Sequence, residues 1–235
     1  MLYKTIISYF KEGTEKIQSG LGVKLHGAMM NLIPKSLSNK FHQSKLQPFS
    51  ICCIKKEDII IAKVCALTDS AKIVCDVFAD SSELEIFGMD TPLVKICSFD
   101  ETPVSSKEAA ESLPDKFRLN FITPAAIRQN KIITCTPSLE RYFYSTAEKY
   151  ALFENADGRY DEFCRLFSRL RITDLSLSSE NFNYGGNNLL GITGHVDIDI
   201  KNDQGALRRL ISYAAYSGIG LKAAMGMGGI EIEKL

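Results

Sequence analysis

The chain has 235 residues and a mass of 26.1 kDa, with 45% hydrophobic and 24% charged residues, enough to bury a core in one large domain or two small ones. This composition excludes a disordered or low-complexity chain, and no apolar run reaches the roughly 18 residues that a membrane helix needs. The first residues, MLYKTIISYF, lack the pattern of a secretory signal, so we expect a cytoplasmic protein with no membrane partner.

The 28 basic and 28 acidic residues cancel, but they are unevenly distributed along the chain. The stretch from Lys16 to Lys56 contains seven lysines and no Asp or Glu, whereas residues 57–115 carry 13 acidic side chains against four basic ones. Such segregation lets a neutral protein present one positive face, for which a polyanion such as RNA is the natural partner. The alternative is a solvated lysine-rich surface that pairs with the acidic segment.

Apolar periodicity in the first half predicts strands and helices in a βαββαβ order. In chain order the predicted elements are a strand over Leu2–Phe10, a helix over Gly20–Ile33, a short helix over Ser36–His42, strands over Phe49–Ile54 and Ile59–Leu67, a helix over Asp69–Ala79, and one or two strands within Leu84–Phe99. This order is that of a ferredoxin-like domain.

Residues 103–115 are polar and proline-flanked, which predicts a linker, and beyond them the pattern returns. The predicted elements are a strand over Phe117–Thr123, a mostly helical stretch over Pro137–Leu170 with a break near Asp157 and Gly158, strands over Arg171–Leu177 and His195–Ile200, a helix over Gly205–Tyr216 and a strand over Met227–Ile232. We therefore predict an α+β fold of two tandem ferredoxin-like (RRM-like, βαββαβ) domains, residues 1–102 and 116–235.

The seven cysteines lie mostly inside Val- and Ile-rich runs, which is typical of reduced thiols in a core. The sequence contains no CxxC pair, and its three histidines lack the HxxxH and HExxH spacings of metal sites. We expect neither a metal ion nor another cofactor.

The most specific local pattern is SGIGLKAAMGMGGIEIE, residues 217–233, which sets several glycines and Lys222 between a helix and a strand. Successive backbone N–H groups and one lysine predict a cradle for phosphates, with Lys222, Gly218, Gly220, Gly226 and Gly228 as the candidate residues. A dinucleotide-binding fingerprint would need the strand before the glycines and the helix after them, which is the reverse of this order. The alternative is a glycine turn that only packs against the sheet.

Four segments together resemble the CRISPR-associated endoribonucleases of the repeat-associated (RAMP) superfamily, which cut precursor guide RNA at its repeats. In chain order they are LHGAMMNLI (25–33), KFHQSKLQPFSI (40–51), FRLNFITPAAIR (117–128) and ALRRLISYAAYSGIGLKAAMGMGGIEIE (206–233). The resemblance implies tandem ferredoxin-like domains and CRISPR repeat RNA as the partner, with a CRISPR interference complex as a further one. It also implies metal-independent cleavage, in which a 2′-OH attacks the adjacent phosphate and leaves a 2′,3′-cyclic phosphate and a 5′-hydroxyl.

The same resemblance assigns roles to individual residues. His42 matches the family's catalytic histidine, and imidazole suits proton transfer because its ordinary pKa lies near ~6.5. Lys45 is the candidate cation for the developing phosphate charge, and His26 is a candidate second proton-transfer group. Arg128, shortly after a Thr-Pro pair, is expected to line the RNA groove.

Two positions depart from the family pattern, with Met30 where a tyrosine is frequent and Gln47 where a lysine is expected. They keep a second hypothesis open, a non-catalytic subunit of the same fold that binds repeat RNA. A third hypothesis is an enzyme that binds a small nucleotide through the glycine loop. We interpret His195 as structural, because Asp197 and Asp199 on the same strand would repel a phosphate.

Overall fold

The computed structural model describes residues 1–11, 20–136, 138–156, 166–167, 170–200 and 205–235. The elements of the N-terminal half are β1 (Tyr3–Phe10), α1 (Leu21–Leu32), α2 (Lys35–Gln43), β2 (Phe49–Lys56), β3 (Ile59–Ala66), α3 (Ile73–Asp80), β4 (Glu83–Leu84) and β5 (Leu93–Asp100). Those of the C-terminal half are α4 (Ser106–Glu111), β6 (Lys116–Ala125), β7 (Ile127–Gln129), β8 (Ile132–Thr134), α5 (Leu139–Phe153), β9 (Arg171–Tyr184), β10 (Asn187–Asp199), α6 (Ala206–Ser217) and β11 (Ile230–Lys234).

Each half contains one main antiparallel sheet, and these two sheets share a topology; the C-terminal half also contains the two-stranded sheet β7-β8. The strand order is β2-β3-β1-β5-β4 in the N-terminal sheet and β11-β6-β10-β9 in the C-terminal sheet. In both, the first strand of the βαββαβ unit lies between the third and the fourth, which is the ferredoxin-like arrangement. The predicted fold is confirmed.

Apolar alternation fixes which face of each strand is buried. In β1, Ile7 and Tyr9 are fully buried and belong to the core that α1 and α3 cover, while the residues between them are partly exposed. In β6, Phe117 and Leu119 are buried in the same way within the core of the C-terminal half. Each sheet therefore has one face covered by helices, and the other face of the N-terminal sheet is partly covered by the C-terminal half, near Ser50 and Lys63.

The segment 103–115 is not the irregular linker that its composition predicts. Ser105 and Glu108 form a capping box, in which the Glu108 amide donates to Ser105 Oγ at 3.1 Å and the Ser105 amide donates to Glu108 Oε2 at 2.7 Å. The resulting helix α4 buries Ala109 in a small cluster with Tyr213 of α6. Its packing against α6 explains why this connection is helical.

Three further predictions differ from the structure. The hairpin β9–β10 is longer than predicted, because the mostly polar residues 178–184 pair fully with residues 187–193. The short hairpin β7–β8 was not predicted, and β11 begins at Ile230 rather than Met227. The predicted helix break near Asp157 and Gly158 lies outside the described residues.

Direct contacts join the two halves. The Ser50 hydroxyl of β2 donates to the carbonyl of Tyr216, and the Lys63 ammonium of β3 donates to the carbonyl of Ile230 at 2.6 Å. These bonds place the end of α6 and the start of β11 against the N-terminal sheet, so the glycine-rich segment between them lies at the junction. No helix of the described residues has the length and apolar character to cross a membrane.

Candidate active site

His26 lies in α1 at the junction of the two halves and is buried. Its Nδ1 lies 3.0 Å from the carbonyl oxygen of Ala224, and its ring stacks on Phe49 with centroids 5.8 Å apart. A carbonyl only accepts, so Nδ1 carries the hydrogen and Nε2 of the neutral ring is an acceptor. Burial lowers the pKa of His26, the bond to Ala224 opposes this effect, and nearby His42 lowers the pKa further. His26 is therefore held as a neutral imidazole.

His42 lies in the last turn of α2 and is exposed. The preceding residue, Phe41, is buried and packs on Phe49 with ring centroids 5.3 Å apart, which anchors this turn. The centroids of the His42 and His26 rings are 6.3 Å apart, and the rings are nearly perpendicular. Two histidines that are 16 positions apart in the sequence thus form a pair, one buried and one open to solvent.

Lys45 extends from the loop after α2 and is exposed. Its ammonium lies 3.7 Å from Glu148 Oε1 on α5, so the charge at this position faces a carboxylate of the other half. The Gln47 amide group donates to the carbonyls of Phe41 at 2.6 Å and Ser44 at 3.1 Å. Gln47 therefore closes the C-terminal end of α2 and shapes the turn between His42 and Lys45.

Met30, the other departure from the family pattern, is buried in the core of the N-terminal half. Its sulfur accepts a weak hydrogen bond from the Ser38 hydroxyl at 3.5 Å. Met30 and Gln47 thus both have packing or capping roles in the region that carries the two histidines.

The glycine-rich loop, residues 218–229, uses its amides within the protein. The Gly220 amide donates to the Tyr142 carbonyl at 2.8 Å and the Gly228 amide donates to the Pro124 carbonyl at 3.0 Å. The amides of Gly218 and Gly226 also donate to backbone carbonyls. The predicted phosphate cradle of glycine amides is therefore wrong for these four residues, although contact between the loop and RNA stays a prediction.

The glycines instead allow the backbone conformation of the loop. Gly218, Gly220, Gly226 and Gly228 all have positive φ values, between 63° and 98°, which side chains disfavour. The loop also packs directly on α1 and β2, where Ala224 is part of the N-terminal core. The two regions singled out in the sequence, around His42 and in the glycine-rich tail, consequently meet on one side of the molecule.

Lys222 and Arg128 lie on the C-terminal side of this junction. Lys222 has a positive φ of 60°, and its ammonium lies 4.1 Å from the centroid of the Tyr184 ring. The Leu221 amide donates to the Ala126 carbonyl at 2.8 Å, which brings the loop against the start of the β7–β8 hairpin, where Arg128 is exposed. Sequence reasoning missed Tyr184, since its only local signal was the adjacent glycine turn.

His195 does not join the site. It lies on the open face of the C-terminal sheet, with Nε2 3.9 Å from Asp174 Oδ2. On the same face, Arg118 forms two hydrogen bonds to Asp197, at 2.7 and 2.9 Å, and this bonding lowers the pKa of Asp197. The acidic surroundings agree with a structural interpretation of His195.

Several known proteins are similar to this chain in sequence and in fold. The family model described as CRISPR-associated endoribonuclease Cas6 matches residues 119–230. A protein of Mycobacterium tuberculosis (strain ATCC 25618 / H37Rv) with the same description is 26% identical over 228 residues, which cover 92% of this chain and 72% of the relative. The C-terminal half of the chain thus matches the Cas6 family model, and the chain as a whole is similar to Cas6 endoribonucleases.

Two further comparisons cover nearly the whole chain. The CRISPR-associated endoribonuclease Cas6 of Streptococcus thermophilus is 24% identical over 252 aligned positions, with 98% of each chain covered. A solved Cas6 product complex covers 100% of both chains with a TM-score of 0.80 and 16% identity, a likeness that shows the fold. The range matched by the family model includes the glycine-rich loop and Arg128 but not His26 or His42. The roles of the two histidines in this chain therefore stay predictions.

Proposed function

We propose that this chain is an endoribonuclease that cleaves precursor CRISPR RNA within its repeats. The observation that carries the proposal is the pair of imidazoles, 6.3 Å apart, where the glycine-rich loop meets α1 and α2. Attack of a ribose 2′-OH on the adjacent phosphate needs one group to remove a proton and another to supply one to the 5′-oxygen. Two histidines, one buried with an acceptor Nε2 and one open to solvent, can meet this need.

In this scheme the substrate supplies the nucleophile, and the protein moves protons. His26 is kept neutral by burial, with an unprotonated Nε2, which is the form of a general base. His42 is exposed and, in its protonated form, suits the general acid that protonates the leaving 5′-oxygen. The products would be a 2′,3′-cyclic phosphate and a 5′-hydroxyl.

The cations around the histidine pair would stabilise the developing negative charge and bind the RNA. Lys45 would turn from Glu148 to the phosphate as negative charge develops on the non-bridging oxygens. Lys222 and Arg128 would contact RNA phosphates along the C-terminal half. The glycines of the loop would act by holding Lys222 in place, since their amides are already engaged.

A second candidate function is a subunit of the same fold that binds repeat RNA without cutting it. The roles of Met30 and Gln47 favour it, because a thioether cannot transfer a proton and a neutral amide that caps a helix cannot offset a charge.

Incubation of the protein with labelled repeat RNA in EDTA separates these functions. Cleavage that persists in EDTA and stops when a 2′-deoxy nucleotide precedes the scissile phosphate would support the proposal. Tight binding to intact RNA would support the second candidate, and absence of any RNA affinity would favour an enzyme that binds a small nucleotide. With His42→Ala, we expect cleavage to fall by about 10²–10⁴ at unchanged RNA affinity, while His195→Ala serves as the control.

A further inference from the structure

Lys222 of the glycine-rich loop faces an aromatic ring rather than a carboxylate. Its ammonium lies 4.1 Å from the centroid of the Tyr184 ring, which is closer than two similar lysine–tyrosine contacts elsewhere in the chain, at 5.5 and 5.9 Å. Among the residues that the structure describes, no carboxylate pairs with Lys222, whereas Lys45 pairs with Glu148. The ammonium of Lys222 is therefore held in place without loss of its charge.

The Tyr184 ring is itself fixed by packing. Tyr184 is the last residue of β9 and pairs with Asn187 across a two-residue turn of Gly185 and Gly186, which both have positive φ. The half-buried ring packs against a small apolar cluster whose buried members are Ala126, Phe182 and Met227. The ring therefore offers Lys222 a surface of fixed position.

The tip of the β9–β10 hairpin also contacts α1, the helix that carries His26. Gly20, the residue before α1, has a φ of 103°, and a Cβ added there would lie 2.0 Å from the carbonyl oxygen of Asn183. Val23 of α1 packs against the same apolar cluster as Tyr184 does. These contacts set the position of the Tyr184 ring relative to the histidine pair.

The backbone of Lys222 is constrained as well, so only its side chain remains to be ordered. The Lys222 carbonyl accepts hydrogen bonds from the amides of Met225 at 2.8 Å and Met227 at 3.3 Å. A lysine side chain is a flexible four-carbon chain, and holding it in one rotamer has an entropic cost. The contact with the ring offsets part of this cost in the free protein, before any ligand binds.

We propose that Tyr184 is a positioning residue for RNA binding, whose ring holds the Lys222 ammonium where an RNA phosphate can contact it. The electron-rich face of a neutral ring attracts a cation without neutralising it, and an ammonium has three N–H donors. The donors that point away from the ring stay open to phosphate oxygens. Tyr184 thus acts through Lys222 and contacts no nucleotide itself. The proposal rests on the proposed function, since it concerns the same RNA.

A double-mutant cycle tests the proposal, with repeat RNA made uncleavable by a 2′-deoxy nucleotide as the probe. We expect Tyr184→Leu to weaken binding about two- to fivefold, the loss expected for one exposed cation–π contact. Tyr184→Phe keeps the ring and should bind as the wild type does. In a Lys222→Ala background, Tyr184→Leu should cause no further loss, because its effect passes through the ammonium. Phe87→Leu is the control, because this ring is 97% exposed between β4 and β5 of the other half.

The cycle separates positioning from other roles of the ring. If Tyr184→Leu weakens binding equally with and without Lys222, the ring contacts a base or only supports the fold, and the proposal is wrong. If Lys222→Ala binds as tightly as the wild type, Lys222 contacts no phosphate and the proposal is also wrong. Cleavage of unmodified repeat RNA in EDTA would then show that the proposed function still holds. If the wild type neither binds nor cleaves the repeat, both proposals fail.

A spectroscopic readout checks the contact in the free protein. Protons above the face of an aromatic ring are shifted upfield in NMR spectra, so the ε-methylene protons of Lys222 should give an upfield signal in protein with isotope-labelled lysine. This signal should be absent from Lys222→Ala, which assigns it, should persist in Tyr184→Phe and should disappear in Tyr184→Leu. If no lysine signal of the wild type is shifted in this way, the ring does not hold Lys222 and the proposal is overturned.

Discussion

Gly22 of α1 and Gly226 of the glycine-rich loop lie backbone to backbone, so that a Cβ added to Gly22 would be 2.5 Å from the Cα of Gly226. No side chain fits between them without movement of one backbone. The contact fixes the distance between the loop and the helix that carries His26. It is also open to a clean test, because α1 has a second glycine, Gly27, where an added Cβ would have no described residue within 4 Å beyond its chain neighbours and the backbone of its own helix.

We expect Gly22→Ala to lower the midpoint of thermal unfolding, because the new methyl group pushes the loop away from α1. Gly27→Ala should instead raise it, since alanine in a helix is favoured over glycine by roughly 0.5–1 kcal/mol. Circular dichroism of both variants measures the difference. Equal midpoints would show that the two backbones separate without cost.

Lys222→Ala should weaken RNA binding and flatten its dependence on salt. A lysine that neutralises one phosphate contributes about one unit to the slope of log K against log salt concentration. Fluorescence anisotropy at several salt concentrations gives this slope. Lys107→Ala, on the exposed side of α4, provides the control. A slope equal to that of the wild type would mean that Lys222 contacts no phosphate.

Glu148→Gln should strengthen RNA binding through Lys45. The substitution removes the carboxylate that lies 3.7 Å from the Lys45 ammonium. Lys45 can then contact an RNA phosphate without first breaking an ion pair with Glu148. As Lys45 is exposed and Glu148 is partly exposed, we expect an effect of about two- to fivefold in Kd. The gain should vanish in a Lys45→Ala background. If Glu148→Gln has the same effect with and without Lys45, the carboxylate acts on RNA directly.

The buried ammonium group of Lys149 should make the free energy of unfolding depend on pH in the alkaline range. Its ammonium is buried in α5 and donates to the Ser217 carbonyl at 2.7 Å, and burial lowers its pKa to about 8. Between pH 8 and the ordinary pKa of 10.5, the unfolded state therefore binds more protons than the folded state. Lys149 should therefore add a positive slope of up to about 1.4 kcal/mol per pH unit to the free energy of unfolding in this window. The buried thiols of Cys52, Cys53, Cys65 and Cys75 add slopes of the opposite sign above their ordinary pKa of 9.0, because burial raises their pKa.

Urea unfolding at several pH values checks this dependence. Lys149→Met should make the slope less positive than that of the wild type, while Lys107→Met, at an exposed position, should leave it unchanged. Equal slopes of the wild type and Lys149→Met would mean that Lys149 has its ordinary pKa in the folded protein.

The fold was predictable because its signals are local. Alternation in β1 and β6 and the helical stripe in α6 can be counted in a few neighbouring residues, and the βαββαβ order follows from them. The hairpin β7–β8 was missed because its strands have three residues each, too few to show alternation. Its signal was the Asn130-Lys131 turn, in which both residues have positive φ.

The site was only partly predictable. The acid-free segment and the glycine pattern indicated which stretches of chain matter, and the structure brings these stretches together. The partners of their residues could not be predicted, since Ala224 for His26 and Glu148 for Lys45 come from distant elements. The same holds for the glycine amides, which look available in a sequence until the carbonyls that accept from them are known.

The bond between His26 and Ala224 joins residues 198 positions apart, and this separation matters during synthesis. N-terminal domains fold first as a chain leaves the ribosome. A nascent chain can thus form the N-terminal sheet and expose His42 long before residue 224 is translated. Throughout that interval the imidazole of His26 lacks the carbonyl that selects its tautomer. Translation itself therefore delays the assembly of the histidine pair.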